Sequence, residues 1–159
     1  MKKFFISSII GLGLVSSLVA EDCIMVKELN VEFKNDTVVY MDQEEKKKVL
    51  EFGKFLMDTG LYAVVEGHTS NFAPAEYNYE LSKKRANKVR SELIGIGVKP
   101  KQIKAMAFGE SSPLYDNNTE IGAQKNRRVI AEVFNNESDL NEYMKTESAR
   151  VSKIKHIEQ

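Results

Sequence analysis

The chain has 159 residues, 23 basic and 23 acidic, with 42% hydrophobic residues and three prolines. That is the composition of one ordinary globular domain, without a long low-complexity linker. The balanced charge argues against an electrostatically driven nucleic-acid binder, and a single cysteine excludes an intramolecular disulfide framework and a multi-cysteine zinc module.

Lys2 and Lys3 precede an uncharged run from Phe4 to Val19, closed by Ala20 and then Glu21 and Asp22. This order of positive, apolar and small residues reads as a secretory signal over residues 1–20, too short for a spanning helix. Its removal takes two lysines from the 23 basic residues and no acid, leaving 21 against 23, a net charge of −2. Cys23 then stands alone in an oxidising compartment, as a lipid attachment site, an intermolecular disulfide partner or a free thiol. Asp22, directly before it, departs from the small residue that a lipoprotein signal places there. Residues 21–27 are a short spacer, and the folded domain is expected over 28–134.

Residues 24–33 alternate in part (Val26, Leu29, Val31, Phe33) and predict a first strand, followed by the turn signal Asn35-Asp36-Thr37. Asp42 caps a helix, with Glu45 in capping-box position, an apolar stripe of Val49, Phe52 and Leu56, and Gly60 past its end. Leu61–Glu66 reads as a buried strand. A loop over residues 71–76 leads to a long helix from about Tyr77 to Ile96, with Gly97 and Pro100 beyond it. Ile103–Phe108 is a third strand, Thr119 caps a short helix through Lys125, and Arg128–Phe134 is a fourth strand. The order β-α-β-α-β-(short α)-β predicts an α/β (α+β) two-layer sandwich, helices on a mixed four-stranded sheet, with the first strands parallel in sense. Residues 135–159 form a charged tail in which Leu140, Met144, Val151 and Ile154 recur at helical spacing. It predicts a marginal, partly frayed helix docked on the domain, without the clean heptads of a coiled coil.

Two histidines, no glycine-rich phosphate loop, no paired-histidine zinc motif and no EF-hand pattern leave no basis for an enzyme, a metal or a cofactor. His68 and Ser70 lie two apart but have no orienting acid nearby in sequence, so His68 reads as a loop-positioning or capping residue. Arg85 falls inside the apolar stripe of the long helix, where a guanidinium needs an anion or several acceptors. The residues alone leave two readings: an internal pair with Asp36 or Glu66, or a carboxylate ligand held bidentately. Alternation sends Arg127 and Arg128 to opposite faces, one to a site and one to solvent.

Several ordered motifs, namely Val65-Glu66-Gly67-His68-Thr69, Tyr77-Asn78, Leu81-Ser82, Arg85-Ala86-Asn87, Phe108-Gly109-Glu110 and Asn126-Arg127-Arg128-Val129, resemble the OmpA C-terminal domain family, also seen in Pal lipoproteins and MotB proteins. The resemblance spans about residues 28–134. It implies a periplasmic, wall-associated domain, not an enzyme, that binds the peptidoglycan stem peptide noncovalently through its diaminopimelate. Outer-membrane or envelope-complex proteins are the implied further partners. The site residues it implies are Thr69, Asn78, Arg85 and Arg127. The family aspartate that meets the ligand's ammonium falls on Ser70, which offers a hydrogen bond but no charge, and Asp36 is the candidate to supply the missing carboxylate. The family's loop glycine is Ala73 here, and Gly122-Ala123 stands at its usual Gly-Arg. Two other readings stand beside the wall-binding one: an interaction adaptor that keeps the fold with weakened or lost wall binding, which Ser70 and the tail suggest, and a Pal-like lipoprotein anchored through Cys23.

Overall fold

The computed structural model describes residues 27–158, so the predicted signal, Cys23 and most of the spacer lie outside the described residues. The elements run β1 (Asn30–Glu32), α1 (Gln43–Thr59), β2 (Tyr62–His68), α2 (Ala75–Gly95), β3 (Ile103–Gly109), α3 (Glu120–Asn126), β4 (Arg128–Phe134) and α4 (Glu137–Ile154).

The four strands form one mixed sheet in the order β1-β4-β2-β3, with β2 and β3 parallel and the other pairs antiparallel. β1 and β2 therefore share a direction, as expected, but β4 lies between them. β1 is shorter than the expected strand because it pairs only with Arg128–Ile130 at the start of β4. β2 reaches His68 rather than stopping at Glu66, because it is central and pairs on both sides.

Local signals explain the helix ends. Asp42 accepts from the Glu44 and Glu45 amides, and Gly60 closes α1 in the left-handed region at φ 71°. Glu45 is buried beside this cap, where its carboxylate takes the Glu32 amide and Lys48 Nζ. α2 starts at Ala75, directly after Pro74, and ends before Gly97, whose φ of 117° only glycine adopts without strain.

Alternation divides the sheet into two faces. Ala63 and Val65 of β2, with Ile103 and Val129, pack on Val49, Phe52 and Leu56 of α1 and Val89 and Leu93 of α2. Glu66 points the other way and meets α4, where Leu140 and Val151 are buried. The predicted tail helix thus docks, and it covers the face opposite α1 and α2.

α2 crosses β2 at Gly67. A Cβ there would sit 2.0 Å from the Ser82 carbonyl oxygen, in the helix backbone itself. Gly67→Ala should destabilise the protein by about 3 kcal/mol, read by urea unfolding, because neither main chain yields locally. An unchanged midpoint would contradict the close crossing.

Candidate functional site

The crossing at Gly67 fixes where α2 stands over the end of β2, and a pocket opens there. Its walls are the turn after β1 (Asn35, Asp36), the residues after β2 (Thr69, Ser70), loop 71–74, the first half of α2 and Arg127, around about 440 Å³. That volume falls within the range of small-ligand sites. All six residues expected from the sequence line it: Asp36, Thr69, Ser70, Asn78, Arg85 and Arg127.

Arg85 is fully buried and pairs with neither acid proposed for it. Its Nε donates to the Thr37 carbonyl at 2.9 Å, and its two terminal nitrogens donate to Lys34 O at 3.1 Å and His68 O at 3.3 Å. The Phe33 ring lies 5.2 Å from the guanidinium carbon. Three neutral acceptors orient the cation and leave its charge uncancelled. Burial and the Arg127 charge lower its pKa to about 10, against the opposing pull of Asp36, so it is a cation at neutral pH. Glu66 cannot be its partner: it lies on the opposite face of the sheet and accepts from Tyr143.

Arg127 follows α3, and its Nε and a terminal nitrogen donate to Gln124 Oε1. Gln124 in turn donates to Glu32 and to the Phe33 carbonyl, anchoring the guanidinium to β1. Burial lowers the Arg127 pKa, while Glu32 and Glu120 raise it. Arg128 does point to the other side, but it is buried rather than solvated. Its terminal nitrogens reach Asn126 Oδ1 and Ser112 O, beneath the loop that precedes α3.

Asn78 offers less than an amide normally does. Its nitrogen donates both to the Ala73 carbonyl and to the Glu110 carboxylate. Both partners are acceptors, so the nitrogen must face them, and only Oδ1 is left for a ligand. Asn78 therefore meets a ligand as an acceptor alone. Glu110, which sets this orientation, is a site residue beyond the six expected ones, within the Phe108-Gly109-Glu110 motif. Its signal was the glutamate directly after the Gly109 that ends β3.

Asp36 occupies the left-handed region at φ 52° and receives the Tyr77 hydroxyl across the pocket mouth. Tyr77, exposed beside it, also lines the pocket and is a site residue beyond the six expected ones, signalled by the Tyr77-Asn78 motif. The Thr69 amide is held by Gly109 O, whereas its buried hydroxyl has no partner among the described residues. Ser70 lines the pocket, but His68 does not. The His68 ring stacks on Phe108 with both nitrogens lacking a hydrogen-bond partner, so His68 and Ser70 form no catalytic pair. His68 is a packed side chain rather than a loop or capping residue. Among the described residues no cluster of metal-ligating side chains occurs, and no helix is long and apolar enough to cross a membrane.

Known proteins resemble this chain in sequence and in fold. Outer membrane porin F of Pseudomonas aeruginosa is 36% identical over 116 residues, 72% of this chain and 33% of the porin. The peptidoglycan-associated lipoprotein of the same organism is 36% identical over 76 residues, 48% of this chain and 45% of the lipoprotein. The chain thus spans between a third and a half of the length of these two relatives. The crystal structure of the peptidoglycan-associated lipoprotein from Burkholderia pseudomallei superposes with a TM-score of 0.59 at 27% identity, over 66% of this chain and 87% of that one. The sequence model of the OmpA family matches residues 33–127, from the turn after β1 to the second guanidinium of the pocket, and the chain belongs to that family.

Proposed function

We propose that the protein is a peptidoglycan-binding module of the cell envelope. It holds the diaminopimelate of the stem peptide noncovalently and so tethers or organises an envelope component in the periplasm. The observation that carries this reading is the pocket's charge pattern: two guanidiniums, Arg85 and Arg127, with one carboxylate, Asp36, at the same cavity. A ligand bearing carboxylates and an ammonium complements that pattern. Its carboxylates face Arg85 and Arg127, and its ammonium faces Asp36. Asn78 Oδ1 accepts from a ligand N–H, and the unpartnered Thr69 hydroxyl completes the contacts. Membership in the OmpA family and the likeness to peptidoglycan-associated lipoproteins support the wall as the source of that ligand.

Ser70 makes the division of labour testable. Asp36→Asn should weaken diaminopimelate binding about ten-fold in calorimetric titration, and Ser70→Asp should strengthen it about ten-fold, as a charge-assisted bond is lost or gained. If Asp36→Asn changes nothing, the ammonium is not held there.

The adaptor reading has its own support in α4, which docks across the sheet rather than trailing from it. Loss of partner binding on deletion of residues 135–159, with wall binding retained, would favour it. Anchoring at Cys23 concerns a residue outside the described ones, and the intact mass of the envelope-extracted protein tests it directly.

A further inference from the structure

The sheet ends at β3, and the outer edge of that strand is only partly covered. The Ala63 amide donates to Gln102 O at 2.8 Å, so the even-numbered residues 102, 104 and 106 turn their backbone groups toward β2. Residues 103, 105 and 107 turn outward, up to the register shift that pairs His68 with Gly109 and turns the Gly109 carbonyl to Thr69 N. Two side chains of α2 cap the ends of this edge: Arg90 Nε takes the Ile103 carbonyl at 2.9 Å, and Ser82 Oγ takes the Gly109 amide at 2.9 Å. Between these caps the same alternation turns the N–H and C=O groups of Ala105 and Ala107 away from β2, and both residues line a groove of about 360 Å³. α2 forms one wall of the groove and α4 the other, with Met144 and Val151 on the α4 side.

The lining is charged in one sense only. Lys83 and Lys155 are its ionic residues, and no carboxylate lines it. Lys155 sits 4.8 Å over the Tyr79 ring, and Lys83 lies 3.7 Å from the exposed Glu80. Both lysines belong to the end of the groove near Tyr79. The two alanine side chains are small, with Ala105 partly exposed and Ala107 buried at the groove floor.

We propose that this groove docks an extended acidic segment of a partner protein, which adds to β3 as a fifth strand and places its carboxylates beside Lys83 and Lys155. Backbone bonds to Ala105 and Ala107 supply affinity, and the lysines supply direction and charge selection. The tail helix thereby acquires a role, since it builds one wall of the docking site. The groove shares no lining residue with the diaminopimelate pocket, so the two proposals stand or fall separately.

The test is an NMR titration of the protein with a synthetic hexapeptide, alternating threonine and valine and ending in two glutamates. Its counterpart ends in two lysines. The glutamate peptide is expected to shift the Ala105 and Ala107 amides and slow their hydrogen exchange, while the lysine peptide leaves both unchanged. Reversing Lys83→Glu together with Lys155→Glu should cut affinity for the glutamate peptide about ten-fold and invert the preference. Ala105→Pro removes an outward donor and no bond to β2, and should weaken binding with the fold retained. Absence of shifts at β3, indifference to charge reversal, or pairing of two copies through β3 in sedimentation would each overturn the proposal.

Discussion

Arg85→Ala should abolish retention on peptidoglycan and lower stability by about 3–5 kcal/mol in urea unfolding. The two losses have different origins. Stability falls because the Thr37, Lys34 and His68 carbonyls lose their donor, and because a large buried side chain leaves a cavity against Phe33. Retention falls because the pocket loses its deeper cation. Arg127→Ala separates the two effects. Its guanidinium is held by Gln124 rather than by three backbone groups, so stability should change by about 1 kcal/mol while retention is lost. Wild-type retention by folded Arg127→Ala protein would move the binding site elsewhere.

The second large effect lies under α4 and shows as two opposed pH dependences. Burial raises the Glu66 carboxyl to about 7, offset in part by the Tyr143 hydroxyl that donates to it at 2.5 Å. Burial, with the Arg128 and Arg150 charges, holds His68 well below 6.5. Between about pH 4.5 and 7 the folded chain keeps a proton on Glu66 that the unfolded chain releases, so this group makes stability fall as pH rises. Below 6.5 the unfolded chain protonates His68 and the folded chain does not, so that group makes stability fall as pH drops. The slopes oppose each other below about pH 6.5, each at most about 1.4 kcal/mol per pH unit. Glu66→Gln should expose the histidine slope, with stability rising with pH up to about 6.5. His68→Gln should expose the opposite one, with stability falling toward pH 7. Denaturant midpoints across pH 4.5–7 read both; parallel curves for the two variants would contradict the assignment.

The parts of the fold that the sequence made legible are those set by local chemistry. Asp42, Gly60 and Thr119 ended or began helices where their side chains or φ angles require it, and the stripe Val49-Phe52-Leu56 named the buried face of α1. Strand order was not legible. Nothing local to β4 says that it inserts between β1 and β2, because pairing partners are chosen by packing of the whole sheet. At the site, the family motifs carry Thr69, Asn78, Arg85 and Arg127, Ser70 falls where the family has an aspartate, and Asp36 is expected only from its place in the turn after β1. What each side chain does there depends on distant groups. Asn78 is reduced to an acceptor by Glu110, 32 positions away, and Arg85 is oriented by carbonyls 17 to 51 positions away. The burial of Arg128 depends on a loop carbonyl, Ser112 O, which no periodicity reports.

The most direct measurement of the central claim is co-sedimentation of the protein with purified sacculi, competed with free diaminopimelate. Retention that diaminopimelate displaces, and that an equal concentration of lysine displaces far less, is the expected result, because lysine lacks the second carboxylate for the paired guanidiniums. A folded protein that stays in the supernatant, or retention that diaminopimelate leaves untouched, would contradict the assignment of this pocket to the wall.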